Sequence, residues 1–196
     1  MKPFTNIREL DLWLNTNGIN TATWGIEGTK TVRNLWGEYV SGEITFQAPP
    51  PLRIVEVVQI IIRRGNRVLL EIEQEFGNAQ KRSRHQPPSE KMKAGESYIL
   101  AAIRCLQEEL GLARDEIAFV GSGYEKVEML TESPSYPGLQ TKYTFHSIEA
   151  VAKGLPEKDF WRENITHLTT DPVKRHLWAW QTRLGTGFGV LQQVAV

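Results

Sequence analysis

One cysteine, Cys105, stands among 196 residues, so neither a disulfide framework nor a four-cysteine zinc site can form, and a lone thiol fits a reducing compartment. Long apolar runs are missing too: the richest stretch, Ile54 to Ile62, is short and interrupted by Glu56 and Gln59, which predicts no membrane-spanning segment. Charge of one sign is absent. The 23 basic and 23 acidic side chains give a formal net charge of +0, so nothing global attracts nucleic acid or an anionic membrane, and any phosphate binding must be local. The opening MKPFTNIRELDLWLN puts charge where a secretory signal has its apolar centre. Together these absences predict a cytoplasmic protein with no nucleic-acid and no membrane partner.

What is present suits one domain of ordinary size, with 40% hydrophobic and 23% charged residues. Residues 1–50 read as a helical N-terminal extension. Ile7, Leu10 and Leu14 recur at helical spacing before Asn17-Gly18, and Val32, Leu35, Trp36, Tyr39 and Val40 form a second stripe ending near Gly42. That stripe needs a partner surface, which the following domain, residues 51–182, would supply. Past Pro49-Pro50-Pro51, runs from Arg53 to Arg63 and Arg67 to Phe76 flank Gly65-Asn66 as a central hairpin. Gly77 to Ser89 reads as a polar loop carrying Lys81, Arg82, Arg84 and His85. A helix near Ser97 to Leu110 follows, then strands within Glu116 to Gly121, Tyr124 to Leu130 and Thr141 to Val151, and a late helix over Val173 to Trp180. Partial alternation of strands and helices predicts a mixed sheet with helices packed on it. The tail, 183–196, contains Gly185, Gly187 and Gly189; with no strand before it, it reads as a mobile end and not as a dinucleotide loop.

On a helix of about 100° per residue, Ile99, Ile103, Leu106 and Leu110 form a buried stripe. Ala101, Arg104, Cys105, Glu108 and Glu109 lie opposite, with Cys105 between the two carboxylates. Adjacent carboxylates without a neighbouring lysine create negative potential that suits a hard divalent cation; a solvated acidic face is the plain alternative. Glu71, Glu73 and Glu75 alternate along a strand, as on the solvent side of a sheet. Trp178 and Trp180 read as core, and His176, without a metal-ligand partner at helical spacing, as structural.

The segment Glu90 to Leu112, EKMKAGESYILAAIRCLQEELGL, resembles the Nudix box, G-x5-E-x7-R-E-U-x-E-E-x-G-U, where U is a bulky aliphatic residue. Glu96, Arg104, Leu106, Glu108, Glu109, Gly111 and Leu112 fall in register; Glu90 stands at the opening glycine and Cys105 at the first glutamate of R-E-U. The resemblance implies an α+β fold, an α/β/α sandwich around a mixed sheet, over roughly residues 51 to 182. It implies divalent-metal-dependent hydrolysis of a nucleoside diphosphate-linked or other organic pyrophosphate. By that resemblance Glu108 and Glu109 are ligands of Mg2+ or Mn2+, Arg104 orients the carboxylates, Glu96 supports the metal site, and Gly111 ends the helix at positive φ. A homodimer is expected by resemblance alone.

Arg84, Lys91 and Lys93 are candidates for the substrate's phosphates, against the competing reading of a hydrated polar loop. Cys105 is a soft, neutral ligand beside two carboxylates that oppose thiolate formation, so magnesium binding is expected to weaken. Glu90, or Glu125, Glu128 or Glu132 downstream, would restore the charge, and the sequence leaves that choice open. Two functions remain: a hydrolase with an altered box, or a Nudix-fold nucleotide-binding or regulatory module that has lost most of its chemistry.

Overall fold

The computed structural model describes residues 3–26, 28–164 and 172–182; the glycine-containing tail falls outside the described residues. Helices α1 (Ile7–Thr16) and α2 (Val32–Val40) form where periodicity places them. Side chains start both: Asn6 Oδ1 accepts from Glu9 N at 3.0 Å, and Thr31 and Asn34 exchange bonds in a capping box. Leu10, Leu14 and Leu35 are fully buried, but Val40 is 60% exposed and Glu38 takes its place in the buried face.

Strand β1 (Ile44–Gln47), which the sequence pattern does not reveal, pairs antiparallel with β2 (Leu52–Arg64). The chain turns at Gly65, whose φ of 61° suits glycine, into β3 (Arg67–Phe76). The hairpin arms pair only at Arg63–Val68 and Arg64–Arg67 and then part into two sheets. In the first, β7 (Gln140–Ala152) runs parallel to β2 and carries β6 (Ile117–Glu132) antiparallel on its far side. β1 and β5 (Ser89–Lys91) share the other edge of β2. In the second sheet, β3 lies between β4 (Lys81–Gln86) and β9 (Val173–Thr182), with β8 (Phe160–Glu163) outside β9.

Three local expectations are corrected. The polar segment expected to be a loop contains β4, whose residues meet Glu71, Glu73, Gln74 and Glu75 of β3. The late helix is strand β9. His176, Trp178 and Trp180 are buried at every second position, and pairing along nearly all of β3 satisfies backbone groups that a helix would leave open on that edge. The two strands expected between Glu116 and Leu130 are one, β6, whose register shifts between Phe119 and Tyr124.

Helix α3 (Tyr98–Leu110) packs between the sheets. One core joins its Ala101, Ala102, Cys105, Leu106 and Leu110 to Val58, Ile60 and Ile62 of β2, Ile148 of β7 and Trp178 and Trp180 of β9. The opposite face of the first sheet is covered by the N-terminal helices, where Leu10, Leu14 and Leu35 meet Val55, Val57, Tyr143 and Phe145. The layers are therefore α1/α2, mixed sheet, α3 and second sheet, which matches the expected α+β sandwich.

Candidate active site

Ser97 caps α3 by accepting from Leu100 N at 3.3 Å, and Gly111 ends it at φ 66°. The buried arc of α3 is rotated from the expected stripe. Ile99 and Ile103 are half-buried, whereas Ala101 and Cys105, expected on the outer side, are fully buried. Small side chains at 101, 102 and 105 let the helix approach β-sheet on two sides, and that closeness decides the rotation. The sulfur of Cys105 consequently joins the core. Burial first, then the charges of Glu109 and Glu90, push its thiol well above the usual range, so it is neutral.

Arg104 is the centre of the polar side. Its Nε and Nη2 donate to the two carboxylate oxygens of Glu96 at 3.1 and 2.9 Å, and Nη2 also donates to the carbonyl of Lys91 at 2.9 Å. This forked bond and Lys93 N hold the Glu96 carboxyl below the usual range. Arg104 Nη1 faces two further carboxylates, Glu90 Oε1 at 3.5 Å and Glu108 Oε2 at 3.8 Å. Glu90 comes from β5, opposite Val58 in register, on the sheet face that α3 covers. Burial raises its carboxyl despite the attraction of Arg104, and the charge of Glu108 adds to the rise. Glu109 is half-buried and has no hydrogen-bond or ion-pair partner among the described residues. Burial, then the charges of Glu71 and Glu90, drive its carboxyl well above the ordinary value.

The three cation candidates separate. Arg84 Nε lies 3.2 Å from Glu71 Oε2, and Arg84 is the positive charge that acts on Glu109. Lys91 points to the other side of β5, with Nζ 2.7 Å from Glu38 and 3.4 Å from Glu43, and is tied to the N-terminal extension. Lys93 is exposed and lines a cleft of about 130 Å³ between the Gly42–Thr45 segment and the turn ending at Glu96. Glu96, Glu90 and Glu108 thus gather around Arg104, while Glu109 feels the charges of Glu71, Glu90, Arg84 and Glu108, and the expected phosphate-binding trio does not assemble.

Sequence reasoning missed Glu71. The register of β3 shifts between Glu71 and Glu73 against both neighbours, which breaks the alternation that had assigned all three glutamates to solvent; Glu71 and Glu75 are 5% and 8% exposed. Glu71 is bonded to His176 Nδ1, which explains that buried histidine as a structural partner. Of the downstream glutamates, Glu128 is committed to Lys142 at 2.8 Å, and Glu132 accepts from Gly138 N at 2.9 Å. Glu125 keeps one buried carboxylate oxygen without a hydrogen bond.

Three carboxylates, Glu90, Glu108 and Glu109, are therefore left at the end of α3 after Glu96 has matched Arg104. Among the described residues they are not already drawn together at ligating distances, and Arg104 stands between two of them. Their oxygens are hard donors of the type that bind Mg2+ or Mn2+, whereas the only soft donor nearby is withdrawn into the core.

Against known proteins, the family model described as NUDIX domain matches residues 53–167. Solved structures similar to this chain include an Ap4A hydrolase from C. elegans, 20% identical, covering 66% of this chain and 80% of that one with a TM-score of 0.34. A NUDIX hydrolase from Nitrosomonas europaea is 17% identical, covering 64% and 71%, with a TM-score of 0.39. No curated protein matches it. The matched span contains both arms of the hairpin, all of α3 and every carboxylate gathered at its end, and over that span the chain belongs to the Nudix family.

Proposed function

We propose that this protein is a divalent-metal-dependent hydrolase of a nucleoside diphosphate-linked or other organic pyrophosphate. The observation that carries the reading is the excess of carboxyl groups over cations at the end of α3, where the Glu109 carboxyl has no hydrogen-bond or ion-pair partner among the described residues and Glu90 and Glu108 flank one nitrogen of Arg104. A half-buried group of this kind is unfavourable without a cation, and its oxygen donors fit Mg2+ or Mn2+. Glu108 and Glu109 would hold the ion. When bound, it supplies neutralisation of pyrophosphate oxygens and a lowered pKa for water.

The protein's own part is positional. The forked Arg104–Glu96 bond fixes the guanidinium, and the guanidinium in turn fixes where Glu90 and Glu108 sit. Arg84, which pairs with Glu71, and Lys93, on the cleft next to Glu96, are the cations this reading assigns to substrate phosphates. Lys91 is assigned instead to holding β5 against the extension.

The test is a panel of nucleoside diphosphate-linked compounds incubated with Mg2+ or Mn2+, with phosphorus NMR following release of nucleoside monophosphate. Turnover by the natural protein that Glu109→Gln abolishes supports the hydrolase. A second reading, a nucleotide-binding module without turnover, is favoured by one observation: the box position occupied by Cys105 contributes a buried, neutral sulfur and no carboxylate. Tight binding of the same compounds with no product under either metal would establish that reading.

A further inference from the structure

Strand β6 ends the mixed sheet. It pairs with β7 along one side, and among the described residues no strand pairs with its other side, so a row of backbone N–H and C=O groups faces outward there. The register shift between Phe119 and Tyr124 interrupts the first part of β6, but residues 124–132 pair with β7 one for one and contain no proline. Alternate side chains of this stretch, Tyr124, Lys126, Glu128 and Leu130, stand on the sheet face that carries α3, since Tyr124 lies opposite Ile148 of the core and its ring meets Tyr98 of α3. All four are open to solvent. Tyr124 is 45% and Leu130 66% exposed, and the side chains of Lys126 and Glu128 are 51% and 50% exposed. Tyr124 is nevertheless fixed, with its ring 4.8 Å from that of Tyr98 and its hydroxyl 3.0 Å from His146 Nδ1. Glu128 Oε2 is bonded to Lys142 at 2.8 Å, while Lys126 reaches only Glu128 Oε1, at 3.7 Å.

The order of these four side chains is its own complement. In an antiparallel pair of β6 strands with Val127 opposite Val127 across a two-fold axis, Lys126 of each strand opposes Glu128 of the other, and Tyr124 of each covers Leu130 of the other. Moving the axis by one residue sets Lys126 or Glu128 against its own copy, and moving it by two sets a charge against Tyr124 or Leu130. Charge and apolar area thus select one register. A lysine on a sheet edge ordinarily repels foreign strands; here a second copy of the same edge brings the matching glutamate.

We propose that the free edge of β6 is the docking surface for a second copy of this chain, joining two mixed sheets into one through antiparallel pairing centred on Val127. The proposal goes beyond the hydrolase reading and does not depend on it. It gives the presented tyrosine, the exposed leucine and the loosely held lysine of β6 one common purpose.

The experiment is analytical ultracentrifugation of the full chain, of Lys126→Glu, of Glu128→Lys and of an equimolar mixture of those two variants, with folding checked by circular dichroism. The natural chain should dimerise at roughly 10–100 µM. Each variant alone should self-associate about tenfold or more weakly, because both cross-strand charge pairs become like-charged. The mixture should recover association as a heterodimer, because each variant then supplies the charge the other lacks. A natural chain that stays monomeric over that range overturns the proposal, and so does a natural dimer that both variants retain, which places the interface elsewhere. Variants that are weakened alone and do not recover on mixing overturn the pairing centred on Val127.

Discussion

Glu109 is held in a position that folding alone does not favour. Its carboxylate is half-buried, unpaired among the described residues and repelled by Glu71 and Glu90. Because the folded pKa is raised, the folded state binds a proton that the unfolded chain has already released above about pH 4.3. Stability therefore falls as pH rises from there toward the folded value. Glu109→Gln should raise the metal-free stability at neutral pH by about 1 kcal/mol. The gain should vanish in acid, and the variant should lose the stabilisation that Mg2+ gives the natural protein; thermal unfolding at two pH values, with and without Mg2+, reads all three. Fully buried and neutral, the Cys105 thiol should react with an aromatic disulfide reagent only after denaturation. Cys105→Ser should cost about 1–3 kcal/mol by burying a hydroxyl in apolar surroundings.

Between elements, the strongest electrostatic link joins α2 to the box. Glu38 is buried and meets Lys30 at 2.9 Å, Arg53 at 2.6 Å and Lys91 at 2.7 Å. Burial alone would raise its carboxyl, but the charges of Lys91, Arg53 and Lys30 hold it far below the usual range. The stabilisation is thus complete above the ordinary carboxyl value and is lost as pH falls through the depressed folded one. Glu38→Gln should cost about 3–5 kcal/mol at neutral pH, and urea denaturation in acid should find the two proteins closer together. Nothing in the sequence points to this hub. Glu38 falls outside the apolar stripe read for α2, and its partners are 8, 15 and 53 positions away, beyond the reach of any local pattern. The helices, the Gly65 hairpin and the face of α3 bearing Arg104, Glu108 and Glu109 were legible because each depends on local spacing or on a turn residue. β9 and Glu71 were not, since the first is decided by pairing with a strand about a hundred residues earlier and the second by a register shift that no local pattern records.

At the scale of the whole molecule, the N-terminal extension serves as a layer of the fold. Its Leu10, Leu14, Trp24 and Leu35 share a core with Val55, Val57, Tyr136, Leu139, Tyr143 and Phe145. Trp24 Nε1 donates to Pro137 O at 2.9 Å, and Lys30 N donates to Ser135 O at 2.9 Å, so the cover is also fastened at its rim. Fully burying each such apolar side chain is worth about 1.5–3 kcal/mol, and together these contacts are a large part of the roughly 5–15 kcal/mol that holds an ordinary domain folded. A chain starting at Glu43 keeps β1 and the whole span matched by the Nudix model, yet exposes the apolar face of the mixed sheet and strips Lys91 of Glu38. Such a chain should bind a hydrophobic dye, associate at micromolar concentration and lose its cooperative thermal transition, as read by fluorescence, light scattering and calorimetry. A truncated chain that matches the natural protein in its association and melts within a few degrees of it would show that the extension is an accessory. The buried Leu10, Leu14 and Leu35 argue against that outcome, because without them Val55, Val57, Tyr143 and Phe145 lose much of their cover on that face of the sheet.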